Sequence, residues 1–439
     1  MIDREIIMEV VKDSLEWEPP SLVERELKVP LELKIKRAVT IIGPRRAGKT
    51  YYMFQLIKTL LEKGVPRDRI LYINLEDYRL EGADHRDLAK IIETYYEIHP
   101  QNRRKKVWLF LDEVQNVASW EKTVRTLIDT LNAQIYLTGS SSKLLSLEVA
   151  TQLRGRTLTY EIYPFSFREY LKARGIKADP HPSSRQKSLI LKALHEYLIW
   201  GGYPEVVLEP RNREKILQEI WEVTIARDII DRWKIRNTKA LRLLIRAIQE
   251  SREFSVHKFH KYLKTLGIKV SKNTLYSYLE HLHDSLIAYP LRKYHPTYKQ
   301  IEASIPKIYL VDNGLYPRKD EGKLLENLVF TELKRRGLKE NRQIYYWKDP
   351  TGKEVDFIVM RQGKATQLIQ ATLELTHQNL EREVKPLLKA AKQLNPQKLT
   401  IITWNQQQTI KTNKHKIQVT PLWKWLITPN TPRTTRKSK

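Results

Sequence analysis

The chain has 439 residues, 78 Lys and Arg against 51 Asp and Glu, a formal net charge of +27, and no cysteine. That length predicts two to four domains, and the missing cysteine excludes a disulfide scaffold, a thiolate metal site and a cysteine nucleophile. Charged side chains among the first ten residues predict that no signal peptide is present, and no apolar run reaches the roughly 18 residues of a membrane span. These features predict a cytoplasmic protein that is not anchored in a membrane.

The positive charge lies almost entirely in the second part of the chain. Residues 1–150 hold 24 Lys and Arg against 23 Asp and Glu, whereas residues 151–439 hold 54 against 28. Such a basic surface is typical of a protein that meets a polyanion: DNA, RNA or an anionic membrane. The alternative is that abundant lysine only keeps surface helices in solution. Residues 428–439 are polar, basic and contain proline, which predicts a disordered tail.

The strongest local pattern is a loop between a predicted buried strand at 38–42 and a predicted helix at 51–63. It matches the phosphate-binding pattern G-x-x-x-x-G-K-[ST]. Its residues are Gly43, Pro44, Arg45, Arg46, Ala47, Gly48, Lys49 and Thr50. Backbone N–H groups of such a loop close around phosphates, the lysine neutralises the β- and γ-phosphates, and the threonine holds Mg²⁺. The loop therefore predicts a site for a nucleoside triphosphate and Mg²⁺.

Three further strands are predicted at 70–75, 106–111 and 134–138. The second runs into Asp112 and Glu113, so Asp112 is expected to position Mg²⁺ through water and Glu113 to polarise the attacking water. A polar side chain after the third strand, Ser140 or Thr138, could sense the γ-phosphate. One strand between the two motifs and an Asp-Glu pair favour the branch of P-loop proteins that hydrolyses ATP over the GTPases.

A basic turn follows the fourth strand and contains Arg154 and Arg156. Either arginine could reach the γ-phosphate of a neighbouring subunit as an arginine finger. A surface salt bridge is an equally good interpretation of each arginine taken singly. Beyond this turn, residues 165–233 have helical spacing with breaks at 180–182 and 201–204, which favours a small helical lid. The Gly-Gly-Tyr-Pro break is either a hinge or only the end of a helix.

Residues 237–298 have the pattern of three helices followed by a β-hairpin, which predicts a winged helix. The outer face of the third helix carries side chains suited to phosphates and base edges, and the wing carries basic tips. These candidate DNA contacts are Lys272, Asn273, Tyr276, Arg292 and Lys293. The alternative is contact with a protein, which many winged helices make.

The last third of the chain has the element order of a restriction-endonuclease-like fold: a helix with Glu326, a strand, a strand with Asp356, and a third strand. Active nucleases of this fold need Glu-x-Lys on the third strand, where the carboxylates bind Mg²⁺ and the lysine supports the attacking water. Here Gln370 and Thr372 occupy those two places. The site is therefore predicted to be degenerate, although Lys385 on the next helix could substitute for the missing lysine.

Taken in order, these motifs resemble the archaeal AAA+-type ATPase family whose P-loop domain is followed by a winged helix and a degenerate nuclease-like domain. The segments that carry the resemblance are 43–50, 111–115, 137–141, 154–167, 200–204 and 354–357. The resemblance implies an α/β fold with a P-loop parallel sheet, a helical lid, a winged helix and a restriction-endonuclease-like domain. It also implies a homo-oligomer such as a hexamer, and it favours Arg156 over Arg154 as the residue supplied in trans.

The predicted domains are an N-terminal segment, a P-loop core, a lid, a winged helix, a nuclease-like domain and a tail. Their bounds are 1–36, 37–172, 173–236, 237–312, 313–427 and 428–439. The predicted function is a Mg²⁺-dependent ATPase that binds DNA and couples turnover to DNA processing or remodelling. The alternatives are a slow nucleotide-dependent switch that holds a protein partner, and a residual nuclease.

Overall fold

The structure is a computed structural model that describes residues 2–139, 151–412 and 415–428. The chain divides into two compact units, each assembled from separate stretches. The first unit contains the chain up to Pro164, Glu219–Ile235 and Asp284–Leu286. The second contains Phe165–Gln218, Arg236–His283 and the chain from Ile287 onward.

A five-stranded parallel sheet forms the centre of the first unit. Its strands are β1 Ala38–Ile42, β2 Ile70–Asn74, β3 Val107–Asp112, β4 Ala133–Thr138 and β5 Thr157–Glu161. They lie in the order β2-β3-β4-β1-β5, so all carboxyl ends meet at one edge, where ligands bind in sheets of this type. The parallel P-loop sheet expected from the sequence is confirmed.

Helices cover both faces of this sheet because its strands are apolar on both sides. The helices are α1 Arg4–Glu16, α2 Lys49–Glu62, α3 His85–Ile98 and α4 Trp120–Thr130. Helices α1, α3 and α4 pack into one apolar cluster, and α2 packs into a second cluster on the opposite face. The N-terminal segment thus contributes its helix α1 to the core of the first unit.

Residues 17–36, here called the strap, have neither helix nor strand and pack against the α2 face. Three ring side chains donate hydrogen bonds to strap carbonyls: Tyr52 Oη to Leu27 O at 2.7 Å, Tyr136 Oη to Pro30 O at 2.8 Å, and Trp108 Nε1 to Leu31 O at 2.9 Å. The sequence gives no periodic signal for this packing, since a strap without regular structure has no repeating spacing of apolar residues.

Two sheets and a set of helices make up the second unit. The hairpin pairs β6 Ala288–Leu291 with β7 Lys307–Leu310, and the larger sheet has six strands in the order β12-β13-β11-β10-β9-β8. The six strands are β8 Ile344–Lys348, β9 Glu354–Arg361, β10 Lys364–Ala371, β11 Lys398–Thr403, β12 Gln408–Lys411 and β13 Lys416–Pro421. A sheet domain is therefore present where the sequence predicts one.

The helices beyond residue 164 follow the predicted breaks. They are Phe167–Ala173, Ser184–Trp200, Pro204–Leu208, Arg213–Val223, Thr238–Glu250, Val256–Thr265, Lys272–Asp284, Tyr298–Glu302, Glu321–Arg335, Leu380–Leu394 and Leu422–Ile427, with a π-helix at Thr224–Asp231. The predicted lid, 173–236, is divided: its residues up to 218 pack with the second unit and 219–235 with the first. In the described ranges, no helix combines the length and apolar character that a bilayer span requires.

The Gly-Gly-Tyr-Pro turn is a tightly packed helix end within the second unit. Gly201 has φ of 73° and follows the helix Ser184–Trp200, and a Cβ on it would lie 1.6 Å from Oδ1 of Asp312. A Cβ on Gly202 would lie 2.3 Å from the carbonyl oxygen of Phe165. Both glycines are thus required for close approach, which favours the helix-stop interpretation over the hinge.

Candidate functional site

The loop between β1 and α2 curls at the carboxyl edge of the first unit's sheet. A Cβ on Gly43 would lie 2.3 Å from the carbonyl oxygen of Ile162, and Gly48 has φ of 93° at the start of α2. Arg46 between them also takes a left-handed φ of 63°. Both glycines of the pattern are therefore needed, one for close packing and one for its backbone angle, and the curl leaves the first N–H groups of α2 at this edge.

Lys49 lies inside the curl of its own loop and is 6% exposed. Its Nζ donates to the carbonyl oxygens of Gly43 at 3.3 Å and Pro44 at 3.4 Å. From the strap, the buried Arg25 donates to the carbonyl of Ala47 at 2.9 Å. The carbonyl groups of the loop thus accept hydrogen bonds from the loop's own lysine and from Arg25 of the strap. Sequence reasoning did not identify Arg25.

Asp112 ends β3 as a buried carboxylate among hydroxyl groups. It accepts hydrogen bonds from Thr138, from Tyr72 Oη at 3.0 Å, and from Thr50 of the loop. Burial raises the pKa of Asp112, and these hydrogen bonds oppose that rise only in part. Within the described ranges its hydrogen-bond partners are all neutral, so the carboxylate offers its charge to a cation bound at the sheet edge.

Glu113 follows with a left-handed φ of 53°, so the chain turns sharply after the buried acid. Its backbone N–H donates to Thr138 Oγ1 at 3.0 Å, and its carboxylate accepts a hydrogen bond from Gln115 Nε2. The fully buried Thr138 hydroxyl therefore supports both acids, and its contact with a γ-phosphate stays a prediction. The other candidate sensor, Ser140, lies outside the described residues.

The two arginines considered as fingers lie in the turn before β5. Arg156 pairs through Nε with Oδ1 of Asp129 at 3.1 Å, and both side chains are substantially exposed. Arg154 has φ of 50°. Arg156 therefore has a partner in its own chain, and action on a neighbouring subunit stays a prediction.

Thr50 and Asp112 fit a Mg²⁺ site that shares its ligands with phosphates and water. Their hydrogen bond brings a hydroxyl and a carboxylate oxygen together, and hard oxygen ligands are those that Mg²⁺ takes. Among the residues that the structure describes, no group of three or more His, Asp or Glu side chains forms an all-protein metal cage. A nucleotide-bound Mg²⁺ needs no such cage, since it usually keeps one or two protein ligands beside phosphate oxygens.

A second group of carboxylates, here called the lysine cluster, lies in the second unit. Lys307 of β7 is 2% exposed, and its Nζ contacts Glu326 Oε1 at 2.8 Å, Asp356 Oδ1 at 3.1 Å and the carboxylate of Glu354. Tyr309 Oη also donates to Glu326 Oε1, at 2.7 Å. The two predicted nuclease acids are therefore together, with an ammonium group between them.

The titration of the lysine cluster follows from this packing. Burial acts to raise the pKa of Glu326, but the ammonium of Lys307 outweighs it and holds that pKa below its usual range. Burial and the neighbouring charge of Glu326 raise the pKa of Asp356 to about 7. The carboxylates raise the pKa of Lys307 well above its ordinary value, despite its burial. The lysine is therefore a permanent cation at neutral pH.

The rest of the predicted nuclease site is put to structural use. Gln370 accepts the N–H of Asp356 at 3.4 Å and donates to Glu383 Oε2 at 3.0 Å, while the half-buried Thr372 donates to the carbonyl of Glu374. Lys385 pairs with Glu381 one turn earlier on its own helix, and its substitution for the missing lysine stays a prediction. The cation of the lysine cluster is Lys307, a residue that no motif marks.

The candidate DNA contacts separate into two groups. Lys272, Asn273 and Tyr276 are exposed on the helix Lys272–Asp284, as predicted. Arg292 is turned inward: its guanidinium contacts Glu302 Oε2 at 3.2 Å and donates to two backbone carbonyls. Lys293 is half-buried beside it. The expected basic wing tip is therefore absent at Arg292, because the chain after β6 folds back through a short helix before β7 begins.

The curled loop, the buried aspartate and the glutamate at the edge of a parallel sheet define a nucleotide-binding P-loop ATPase domain of the AAA type. A family described as an AAA domain matches residues 35–171, and two domains of unknown function, DUF8612 and DUF4143, match 191–320 and 321–425. The chain is 37% identical to the uncharacterized protein MJ1544 of Methanocaldococcus jannaschii, over 98% of this chain and 97% of that protein. It belongs to the family of that protein.

Two further similarities were found. An uncharacterized protein of Haemophilus influenzae is 32% identical over 78% of this chain and 84% of its own length. The solved structure of the Walker-type ATPase paby2304 of Pyrococcus abyssi overlaps with a TM-score of 0.42 at 16% identity, covering 72% of this chain and 95% of that one.

Proposed function

We propose that this protein is a Mg²⁺-dependent ATPase that binds DNA and couples turnover to DNA processing or remodelling, as a homo-oligomer. The observation that carries the ATPase part is the contact between the loop and the buried acid. Thr50 at the end of the loop bonds to Asp112 at the end of β3, with Glu113 directly after it. Loop, metal ligands and base then occupy one edge of the sheet.

Each residue of this edge has a distinct task in hydrolysis. The loop N–H groups and Lys49 bind the phosphates, and Thr50 with Asp112 holds Mg²⁺, which neutralises charge that develops on the phosphate oxygens. Glu113 orients the attacking water and accepts its proton, while Gln115 fixes the carboxylate of Glu113. Arg156 of one subunit is proposed to act on the nucleotide of the next.

DNA binding is proposed for the second unit. Residues 151–439, which contain the whole second unit and three short stretches of the first, hold 54 Lys and Arg against 28 Asp and Glu, and DNA phosphates attract such an excess at low salt. Three helices and a two-stranded hairpin, with Lys272, Asn273 and Tyr276 exposed on the third helix, support a winged helix that presents this helix to the major groove.

The six-stranded domain is proposed to hold DNA or neighbouring subunits and not to cut. In the lysine cluster the ammonium of Lys307 already pairs with the carboxylates that a nuclease would use for Mg²⁺. A divalent ion would have to displace a buried, hydrogen-bonded cation. Plasmid DNA incubated with Mg²⁺ or Mn²⁺ is expected to stay intact, with Asp356→Ala the same as wild type.

The test is ATP hydrolysis measured with and without single-stranded, duplex and branched DNA, alongside the native mass of the particle. Wild type is expected to hydrolyse ATP and to be stimulated by DNA, more strongly at 50 mM salt than at about 300 mM. Lys49→Glu and Glu113→Gln are expected to abolish turnover, the first by repelling phosphates and the second by removing the base.

Undiminished hydrolysis by both variants would refute the assigned site. Turnover that DNA leaves unchanged would favour a slow switch that holds a protein partner.

A further inference from the structure

One arginine of the phosphate loop is held by an acid far along the chain. Nε of Arg45 donates to Oδ2 of Asp228 at 3.2 Å, and Nη2 donates to Oδ1 at 2.9 Å. The pair spans 183 positions of sequence but lies within the first unit. Both oxygens of one carboxylate bind one guanidinium, which is the geometry that an arginine also uses to bind a phosphate.

Asp228 lies on a buried face of the π-helix Thr224–Asp231. Its neighbours on that face, Ile225 and Ile229, are apolar, and its own side chain is 1% exposed. A carboxylate is costly at such a place unless a cation pairs with it. π-Helical turns are also rare and frequent at functional sites. The segment thus has two unusual features, a buried carboxylate and a π-helical turn. Both occur at Asp228, which binds Arg45 of the phosphate loop.

The chain passes through this segment on its way between two stretches of the second unit. Glu219–Ile235 belongs to the first unit, while the residues before it and after it belong to the second. Ser285, which returns to the first unit, donates through Oγ to the carbonyl of Asp228 at 3.2 Å. A change at Asp228 therefore acts on the covalent connection that joins the two units.

Arg45 is also close to the hydrolytic side of the site. Its hydrogen bond to Asp228 raises its pKa, and the charges of Glu113 and Glu76 raise it further. The guanidinium therefore lies within electrostatic reach of the glutamate assigned to the attacking water. With 31% of its side chain exposed, Arg45 has room to turn from Asp228 toward a group bound in the loop.

We propose that Arg45 is a nucleotide-sensing residue that exchanges between Asp228 and the γ-phosphate of ATP, so that the π-helix is held in one nucleotide state and released in the other. The proposal rests on the proposed ATPase function and specifies how that site communicates. The terminal phosphate competes with Asp228 for one guanidinium, and ADP, which lacks that phosphate, leaves the pair intact. Release of Asp228 leaves a buried carboxylate without its cation, so the segment must adjust.

The experiment compares the affinities of the full-length chain for ATP and ADP with Mg²⁺ present. Arg45→Gln is expected to weaken ATP binding by on the order of tenfold, the effect of one charge-assisted hydrogen bond, while ADP affinity stays within about twofold. Asp228→Asn is expected to strengthen ATP binding several-fold relative to ADP, because the competitor has lost its charge. Asp231→Asn is the matched control, since it removes an exposed acid from the same segment.

Hydrogen exchange over residues 224–235 gives a second readout. A non-hydrolysable ATP analogue is expected to increase exchange there in wild type but not in Arg45→Gln, and ADP is expected to leave it unchanged. If Asp228→Asn does not fold, the nucleotide affinities of Arg45→Gln and the hydrogen exchange of wild type still test the proposal. If wild type is active and Arg45→Gln leaves the ratio of ATP affinity to ADP affinity unchanged, the proposed role of Arg45 is overturned but the ATPase function is not. If wild type does not bind ATP, the proposed function is overturned as well.

Discussion

The molecule places buried carboxylates at two sites and surrounds them with different kinds of hydrogen-bond donor. Asp112 in the first unit is surrounded by hydroxyl donors from Thr50, Thr138 and Tyr72. The lysine cluster in the second unit surrounds Lys307 with the carboxylates of Glu326, Glu354 and Asp356. Neutral donors orient a carboxylate and leave its negative charge available to a metal ion, whereas an ammonium group forms an ion pair with it.

The difference teaches that carboxylates alone do not identify a metal site. Glu326 and Asp356 occupy the places that a nuclease motif requires, yet a lysine from a neighbouring hairpin provides the cation. Asp112 is a single carboxylate, but its hydrogen-bond partners among the described residues are neutral hydroxyl groups, one of them from the loop threonine. What surrounds an acid decides whether it can serve chemistry.

The largest effect is expected when the cation of the lysine cluster is removed. Lys307→Met leaves the buried carboxylates of Glu326 and Asp356 without their cation beside the partly exposed Glu354, and removal of one partner from a buried pair costs about 3–5 kcal/mol. Calorimetry of the full chain is expected to show a strongly lowered unfolding temperature for one transition. Lys385→Met is the control: it breaks an exposed pair with Glu381 and should leave the unfolding temperature almost unchanged. Equal shifts for the two variants would contradict the assigned role of Lys307.

A smaller effect is expected at the first site. Asp112→Asn keeps the size of the side chain but removes the charge offered to Mg²⁺ and replaces one of the two accepting oxygens with an amide group that only donates. Loss of such a supporting group typically costs about 10–100-fold in metal affinity or activity. The measurement is the Mg²⁺ concentration that gives half-maximal ATP turnover, together with kcat. A variant with an unchanged Mg²⁺ requirement would show that the aspartate does not serve the metal.

The smallest effect concerns pH. Because burial raises the pKa of Asp112, protonation sets in at a higher pH than for an exposed aspartate. Tyr72→Phe removes one donor to the ionised form, so the pKa should rise further and the acid limb of the kcat/KM profile should move to higher pH. One hydrogen bond of about 1 kcal/mol corresponds to less than about one pH unit. Tyr52→Phe, whose hydroxyl bonds to the strap, should leave the limb in place.

Sequence reasoning found what local patterns encode and missed what distant residues share. The loop, the strand before it and Asp112 with Glu113 were predictable because each motif is contiguous and the element order is characteristic. Three helices lie within 238–284, inside the range where the sequence predicts them, since period-3.6 spacing is a local signal. The fold assignments of the winged helix and the nuclease-like domain stay predictions.

The partners that complete each site carried no such signal. Arg45 meets Asp228 across 183 positions, and Lys307 meets Asp356 across 49. A lysine in a short strand and an aspartate in a helix are ordinary residues until the fold brings them to their partners. Lys385 was a possible substitute by helix position, and the structure pairs it with its neighbour Glu381 on the same helix.

The strap limits how the enzyme can be cut into pieces. A fragment starting near residue 35, where the AAA family match begins, would leave Tyr52, Trp108 and Tyr136 without the carbonyls they bond to and would expose the apolar face over α2. It would also lose Arg25, which braces the phosphate loop from outside. The smallest fragment that folds on its own and is active is therefore expected to be longer than the AAA family match. Truncated versions of this protein should keep the strap and the helix α1 before it.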